Sequence, residues 1–104
     1  MNDTIKDVIE KRLALHINDD FALHECWEKE TEILSKNVST TIDYILNSCD
    51  DETFYWLSEV FEDVAGKTRS KDLINAFATR CESVSDAEKR RSIESEIVAA
   101  KEAL

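Results

Sequence analysis

The residues best equipped for chemistry are two histidines, His16 and His24, three cysteines, Cys26, Cys49 and Cys81, and a crowd of carboxylates in mid-chain. His24 and Cys26 could form a base and a nucleophile, but residues two apart on a helix point to nearly opposite sides. The plainer reading is two partly exposed histidines and a core cysteine. His24 and Glu28 stand four apart and could offer two metal ligands. No paired-cysteine motif completes such a set. Asp50-Asp51-Glu52 lacks the glycine and the alternating oxygen ligands of a calcium loop. A single glycine, Gly66, cannot build a phosphate-cradling loop. The clustered carboxylates have neither a concave site nor a cation beside them in sequence, which general acid–base work would require. The expectation is therefore a protein that is not an enzyme, with no catalytic residue, no metal and no cofactor.

What remains is charge, and it is unevenly spread. The net charge is −10 and the pI about 4.6. Residues 1–36 carry nine acids and five bases, and residues 67–104 seven acids and eight bases. Between Lys36 and Lys67 there is no base at all, yet there are seven acids: Asp43, Asp50, Asp51, Glu52, Glu59, Glu62 and Asp63. Such a balance repels nucleic acid and anionic membranes and attracts basic proteins. The small basic spots, Thr68-Arg69-Ser70-Lys71 and Lys89-Arg90-Arg91, read as cations near a helix C-terminus and on a solvated face. Direct nucleic-acid binding is not expected.

The elements that must carry these charges are helices. One glycine and no proline in 104 residues leave little for tight turns or hairpins. Apolar spacing and caps predict six helices. The first runs from about Thr4 to His16 with Ile5, Val8, Ile9, Leu13 and His16 on one stripe. The second covers about Asp20 to Ser35, anchored by Phe21, Leu23, Trp27 and Leu34. The third starts on Asn37 as N-cap and buries Val38, Ile42, Ile45 and Leu46. Asp50-Asp51-Glu52 opens a fourth, where its dipole favours anions, and Gly66 closes it as an αL residue. Ser70 caps a fifth whose inner face is Leu73, Ile74, Phe77 and Cys81. Ser85-Asp86-Ala87-Glu88 has the spacing of a capping box for a sixth, with Ile93, Ile97, Ala100 and Leu104 inward and a break near Ser92. Short connections predict one all-α domain, 1–104: a compact irregular bundle of about six short antiparallel helices. The odd, widely spaced cysteines fit reduced thiols. No basic region followed by an apolar run opens the chain, and no stretch has the roughly 18 apolar residues of a membrane span. The expectation is a cytoplasmic protein with no membrane partner.

Winding the fourth helix at about 100° per residue puts Phe54, Leu57, Phe61 and Val64 in one narrow sector, flanked by Val60 and Ala65. Glu52, Tyr55, Glu59, Glu62 and Asp63 fall opposite, with Trp56 on the border. Nothing on that helix offsets the carboxylates. Aromatic anchors beside steering charges make half of a protein interface. The alternative is that Tyr55 and Trp56 cover the edge of the core while the acids are merely solvated.

The stretch from Phe54 to Phe77, FYWLSEVFEDVAGKTRSKDLINAF, resembles the helical immunity proteins of bacterial contact-dependent growth inhibition and related polymorphic toxin systems. The likeness lies in the aromatic run before Leu57-Ser58-Glu59, the Glu62-Asp63 pair, Lys67-Thr68 and the Ser70-Lys71 helix start. The early LHECWEKE segment and the IESEIVAAKEAL ending fit more loosely. Gly66 before Lys67 departs from the pattern, where a larger residue would be expected. The resemblance implies a cytoplasmic protein that binds, one to one, the C-terminal toxin domain of a large secreted effector, often a nuclease attacking tRNA or DNA. Asp51, Glu52, Tyr55, Trp56, Glu59, Glu62 and Asp63 are the candidate contacts. Two other classes share parts of this reading: a helical adaptor or chaperone with an apolar groove, and an acidic nucleic-acid mimic that binds a basic protein.

Overall fold

The computed structural model describes residues 2–15 and 20–104, with side chains from Thr4 onward, so His16 lies outside the described residues. Every described element is a helix: α1 (Asn2–Ala14), α2 (Asp20–Lys36), α3 (Val38–Asn47), α4 (Asp51–Leu57), a 3₁₀ turn (Ser58–Val60), α5 (Phe61–Thr68), α6 (Lys71–Glu82) and α7 (Ala87–Glu102). Counting α4, the turn and α5 as one bent rod, these are the six helices expected, in an all-α, compact irregular bundle of 33 × 29 × 26 Å.

Caps written in the sequence start four of the helices. Asn37, Asp50, Ser70 and Asp86 each accept a hydrogen bond from the backbone N–H three residues on, at 2.7 to 3.1 Å. Each satisfies a donor that the first helical turn leaves orphaned. The cap of α7 is thus Asp86, one residue past the expected Ser85, and the helix runs through Ser92 without a break.

Two local expectations fail. Gly66 lies inside α5 without a positive φ, and the left-handed residue that ends the helix is Arg69, at φ 50°. The helix continues to Thr68, whose hydroxyl donates to the Val64 carbonyl at 2.8 Å, so the chain reverses three residues later than the glycine suggested. The expected fourth helix is also interrupted. Ser58 donates its hydroxyl to the Tyr55 carbonyl at 2.5 Å, a local bond that competes with regular helix. The chain then makes one 3₁₀ turn before α5 begins. At 3.0 residues per turn each of those residues advances about 120°, so side chains after Leu57 are rotated relative to a straight α-helix.

The core side of the rod survives the interruption: Phe54, Leu57, Val60, Phe61, Val64 and Ala65 are all fully buried. Phe61 stacks on Phe77 of α6 with centroids 3.9 Å apart, and Phe54 leans on both rings. Ile93, Ile97 and Ala100 close the core from α7, while Ile5 and Ile9 join from α1. Packing follows chain order only in part: α1 lies on α2 and α6 on α7, but α5 lies chiefly on α7 and α2, and α3 on α6. Between α2 and α3, the buried Thr41 hydroxyl donates to the Leu34 carbonyl at 2.8 Å. Some expected anchors face water instead: Phe21 is 76% exposed, and Leu13, Leu46 and Leu104 are exposed too. In their place α2 buries Cys26 and Glu30, and α3 buries Thr41 and Tyr44.

Candidate functional site

The seven candidate residues lie along the α4–α5 rod and divide into two groups by their partners. The first group is engaged by bases brought from distant parts of the chain. Asp51 accepts from Arg80 at 2.7 Å and from the Ser85 backbone N–H at 3.1 Å, tying the start of α4 to α6 and to the loop before α7. The Ser85 N–H, and then Arg80, hold its carboxyl below the usual range. Glu52 pairs with Lys89 and accepts from the Trp56 indole at 2.9 Å. Glu59 is clamped by both Nε and Nη2 of Arg12, at 3.0 and 2.9 Å, with the Trp27 indole N–H at 3.4 Å. These are the three ion pairs among the described residues.

The aromatics belong to the same network. Lys89 sits over the Tyr55 ring at 5.3 Å and Arg12 over Trp56 at 4.9 Å, each contact worth roughly 0.5–1 kcal/mol when exposed. The two rings meet edge-on at 5.1 Å, half-buried against the core. Tyr55 and Trp56 therefore do cover the edge of the core, and the protein's own cations occupy their faces.

The second group is free. Glu62 and Asp63, in the first turn of α5, are exposed, and among the described residues no base pairs with either. Other helices set further carboxylates beside them. Between α2 and α5 runs a groove of about 520 Å³ lined by His24, Trp27, Glu28, Thr31, Glu32, Asp63 and Lys67. His24 meets the Trp27 ring edge-on at 5.2 Å. On the other side a groove of about 190 Å³ is lined by Tyr55, Trp56, Ser58, Glu59, Ser92 and Glu96. Burial raises the Glu96 carboxyl above its ordinary range, and the nearby charges of Glu62 and Glu59 raise it further.

Sequence spacing did not reveal Arg12, Arg80 and Lys89 as counter-ions, because they lie 47, 29 and 37 residues from their partners. Nor did it single out Trp27, Glu28, Glu32 or Glu96 as neighbours of the acidic flank. Glu30 was missed altogether. It is fully buried on α2, and neither carboxyl oxygen has a hydrogen-bond partner. Burial pushes its carboxyl up to about 8; Glu59 adds to the rise and Arg12 opposes it.

Burial raises the Cys26 thiol, the opposite of what an activated nucleophile needs. All three cysteines are free and buried, and Cys49 is pushed up to about 11. Among the described residues no group of three or more His, Cys, Asp or Glu could hold a metal ion. None of their helices is long and apolar enough to cross a membrane. No protein-family model, no curated protein and no solved structure matches the chain.

Proposed function

We propose that this chain is an immunity protein that binds and neutralises a cognate bacterial toxin domain, a nuclease acting on tRNA or DNA, in the cytoplasm of the cell that carries both. The observation that carries this reading is the unpaired acidic flank: Glu62 and Asp63 on α5, Glu96 on α7, and Glu28 and Glu32 on α2 around Trp27. A nuclease must present a basic surface to phosphates, and this flank is complementary to one in charge. Occupying that surface requires no chemistry of the inhibitor. Steering between opposite charges speeds association roughly ten- to a thousand-fold, which suits an inhibitor that must act before the toxin does. The sequence likeness of residues 54–77 to helical immunity proteins supports the same reading.

Within the candidate set, the roles differ. Glu62 and Asp63 are the contacts open to a partner. Asp51, Glu52 and Glu59 position the rod, and a partner reaches their carboxylates only in competition with Arg80, Lys89 and Arg12. The test is to co-express this protein with the C-terminal few hundred residues encoded by the reading frame immediately upstream. One-to-one co-purification, cell death when this protein is omitted, and an on-rate that falls with salt are expected. No complex and no toxicity would refute the immunity reading.

One observation favours an adaptor instead. Phe21 and Leu13 are exposed, and between α1 and α2 runs a groove of about 340 Å³ lined by Val8, Ala14, Leu15, Ala22 and Cys26 together with Lys11, Glu25 and Lys29. An adaptor would take apolar segments from several proteins there and would protect against no toxin.

A further inference from the structure

Glu30 is a carboxyl that the acidic flank does not explain. It is fully buried in the middle of α2 with both oxygens unpartnered. Groups in that position are nearly always hydrogen-bonded, since leaving them bare forfeits their hydration for nothing. The charged groups felt there come from three elements. Arg12 comes from α1 and Glu59 from the 3₁₀ turn. Cys26, one turn earlier on α2, has a thiol raised by its own burial and then by Glu30. Arg12 is the one cation of the set, and Glu59 holds it with two hydrogen bonds in a pair whose side chains are about a quarter exposed.

This is a balance of two carboxylates over one guanidinium. While Glu30 carries its proton it asks little of Arg12, and the charged Glu59 keeps it. Once Glu30 ionises, its charge sits in a medium of low dielectric, where attraction to Arg12 is stronger than at Glu59, a quarter of which meets water. A buried charge without a partner is also the costlier one to abandon. Glu59 can tolerate the loss, because the Trp27 indole N–H remains on its Oε1 and water reaches it.

We propose that Arg12 is shared between two carboxylates, resting on Glu59 while Glu30 is protonated and turning inward to Glu30 when that proton passes to solvent, so that Glu59 is released as a free charge on the acidic flank. The local charge falls by one in the exchange, since Arg12 keeps its own. The released Glu59 joins Glu96 in their shared groove, beside Glu62. The flank is then one charge more negative toward a basic partner. That consequence rests on the partner reading; the movement of Arg12 does not.

The experiment needs no partner. Side-chain NMR of the protein with ¹³C-labelled glutamate and ¹⁵N-labelled arginine follows the Glu30 and Glu59 carboxyl carbons and the Arg12 Nε–H from pH 5 to 9.5. All three signals are expected to move on one curve centred near pH 8. In Glu30→Gln the Arg12 and Glu59 signals should stay at their low-pH positions throughout. Should that variant fail to fold, Glu59→Gln serves: Glu30 then titrates at lower pH, and Arg12 reaches its inward position together with it. Arg12 and Glu59 signals that stay flat while Glu30 titrates would overturn the proposal. So would signals that move equally in Glu30→Gln, or an Arg12 signal in Glu59→Gln that ignores the Glu30 transition.

Discussion

Replacing Glu30 by glutamine should make the protein more stable at neutral and alkaline pH and leave it nearly unchanged in mild acid. The carboxyl titrates near 4.5 when unfolded and is pushed up to about 8 when folded. Between those values the folded state holds a proton that the unfolded state has lost. Stability therefore falls as pH rises, by up to about 1.4 kcal/mol per pH unit, and levels off above 8. Integrated over that window, this single group removes about 3.5 kcal/mol between pH 5 and pH 8. That is a large share of the 5–15 kcal/mol typical of a domain. Glutamine keeps the shape of the protonated acid and cannot ionise. Urea unfolding of both proteins at pH 5, 6, 7 and 8 measures the difference. The variant should match the wild type within about 1 kcal/mol near pH 5 and exceed it by about 4 kcal/mol at pH 8. Parallel stability curves would mean that the Glu30 carboxyl titrates in the folded protein as it does in the unfolded chain, and that its burial does not hold the proton.

Three further outcomes follow from the geometry. Gly66→Ala should stabilise the fold by roughly 0.5–1 kcal/mol, since Gly66 lies inside α5 without a positive φ and an added Cβ meets nothing within 4 Å; a lower thermal midpoint would contradict its helical placement. Asp51→Asn should cost about 1–2 kcal/mol by weakening the bonds from Arg80 and the Ser85 N–H, and chemical denaturation that finds no loss would make Asp51 a mere surface charge. Charge reversal of the exposed pair, Glu62→Lys and Asp63→Lys, should leave unfolding within about 0.5 kcal/mol of the wild type and, on the proposed function, slow association with the proposed toxin partner; unchanged association kinetics would remove this flank from the proposed interface.

The buried side of the fold was legible in the order of residues. Phe54, Leu57, Val60, Phe61, Val64 and Ala65 all lie at zero exposure, and Leu73, Ile74, Phe77 and Cys81 line α6 as their spacing implied. The caps Asn37 and Ser70 were equally plain. Gly66 misled because a lone glycine marks only where a left-handed residue is cheap, and α5 ends instead on Arg69. Phe21 misled because hydrophobicity pulls a residue inward only if the bundle has a place for it, and this one stays 76% exposed.

By itself, then, the sequence determined helical class, most inward faces and the acidic middle third, for these depend on neighbours within a turn or two. The partners of that acidity were decided by the tertiary structure. Arg12, Arg80 and Lys89 reach Glu59, Asp51 and Glu52 only because α1, α6 and α7 pack around the bent rod. The same packing seals Glu30 away from water while leaving Glu62 and Asp63 in it. Coulomb energy depends on distance and dielectric, and in a folded chain both are set by which helices meet.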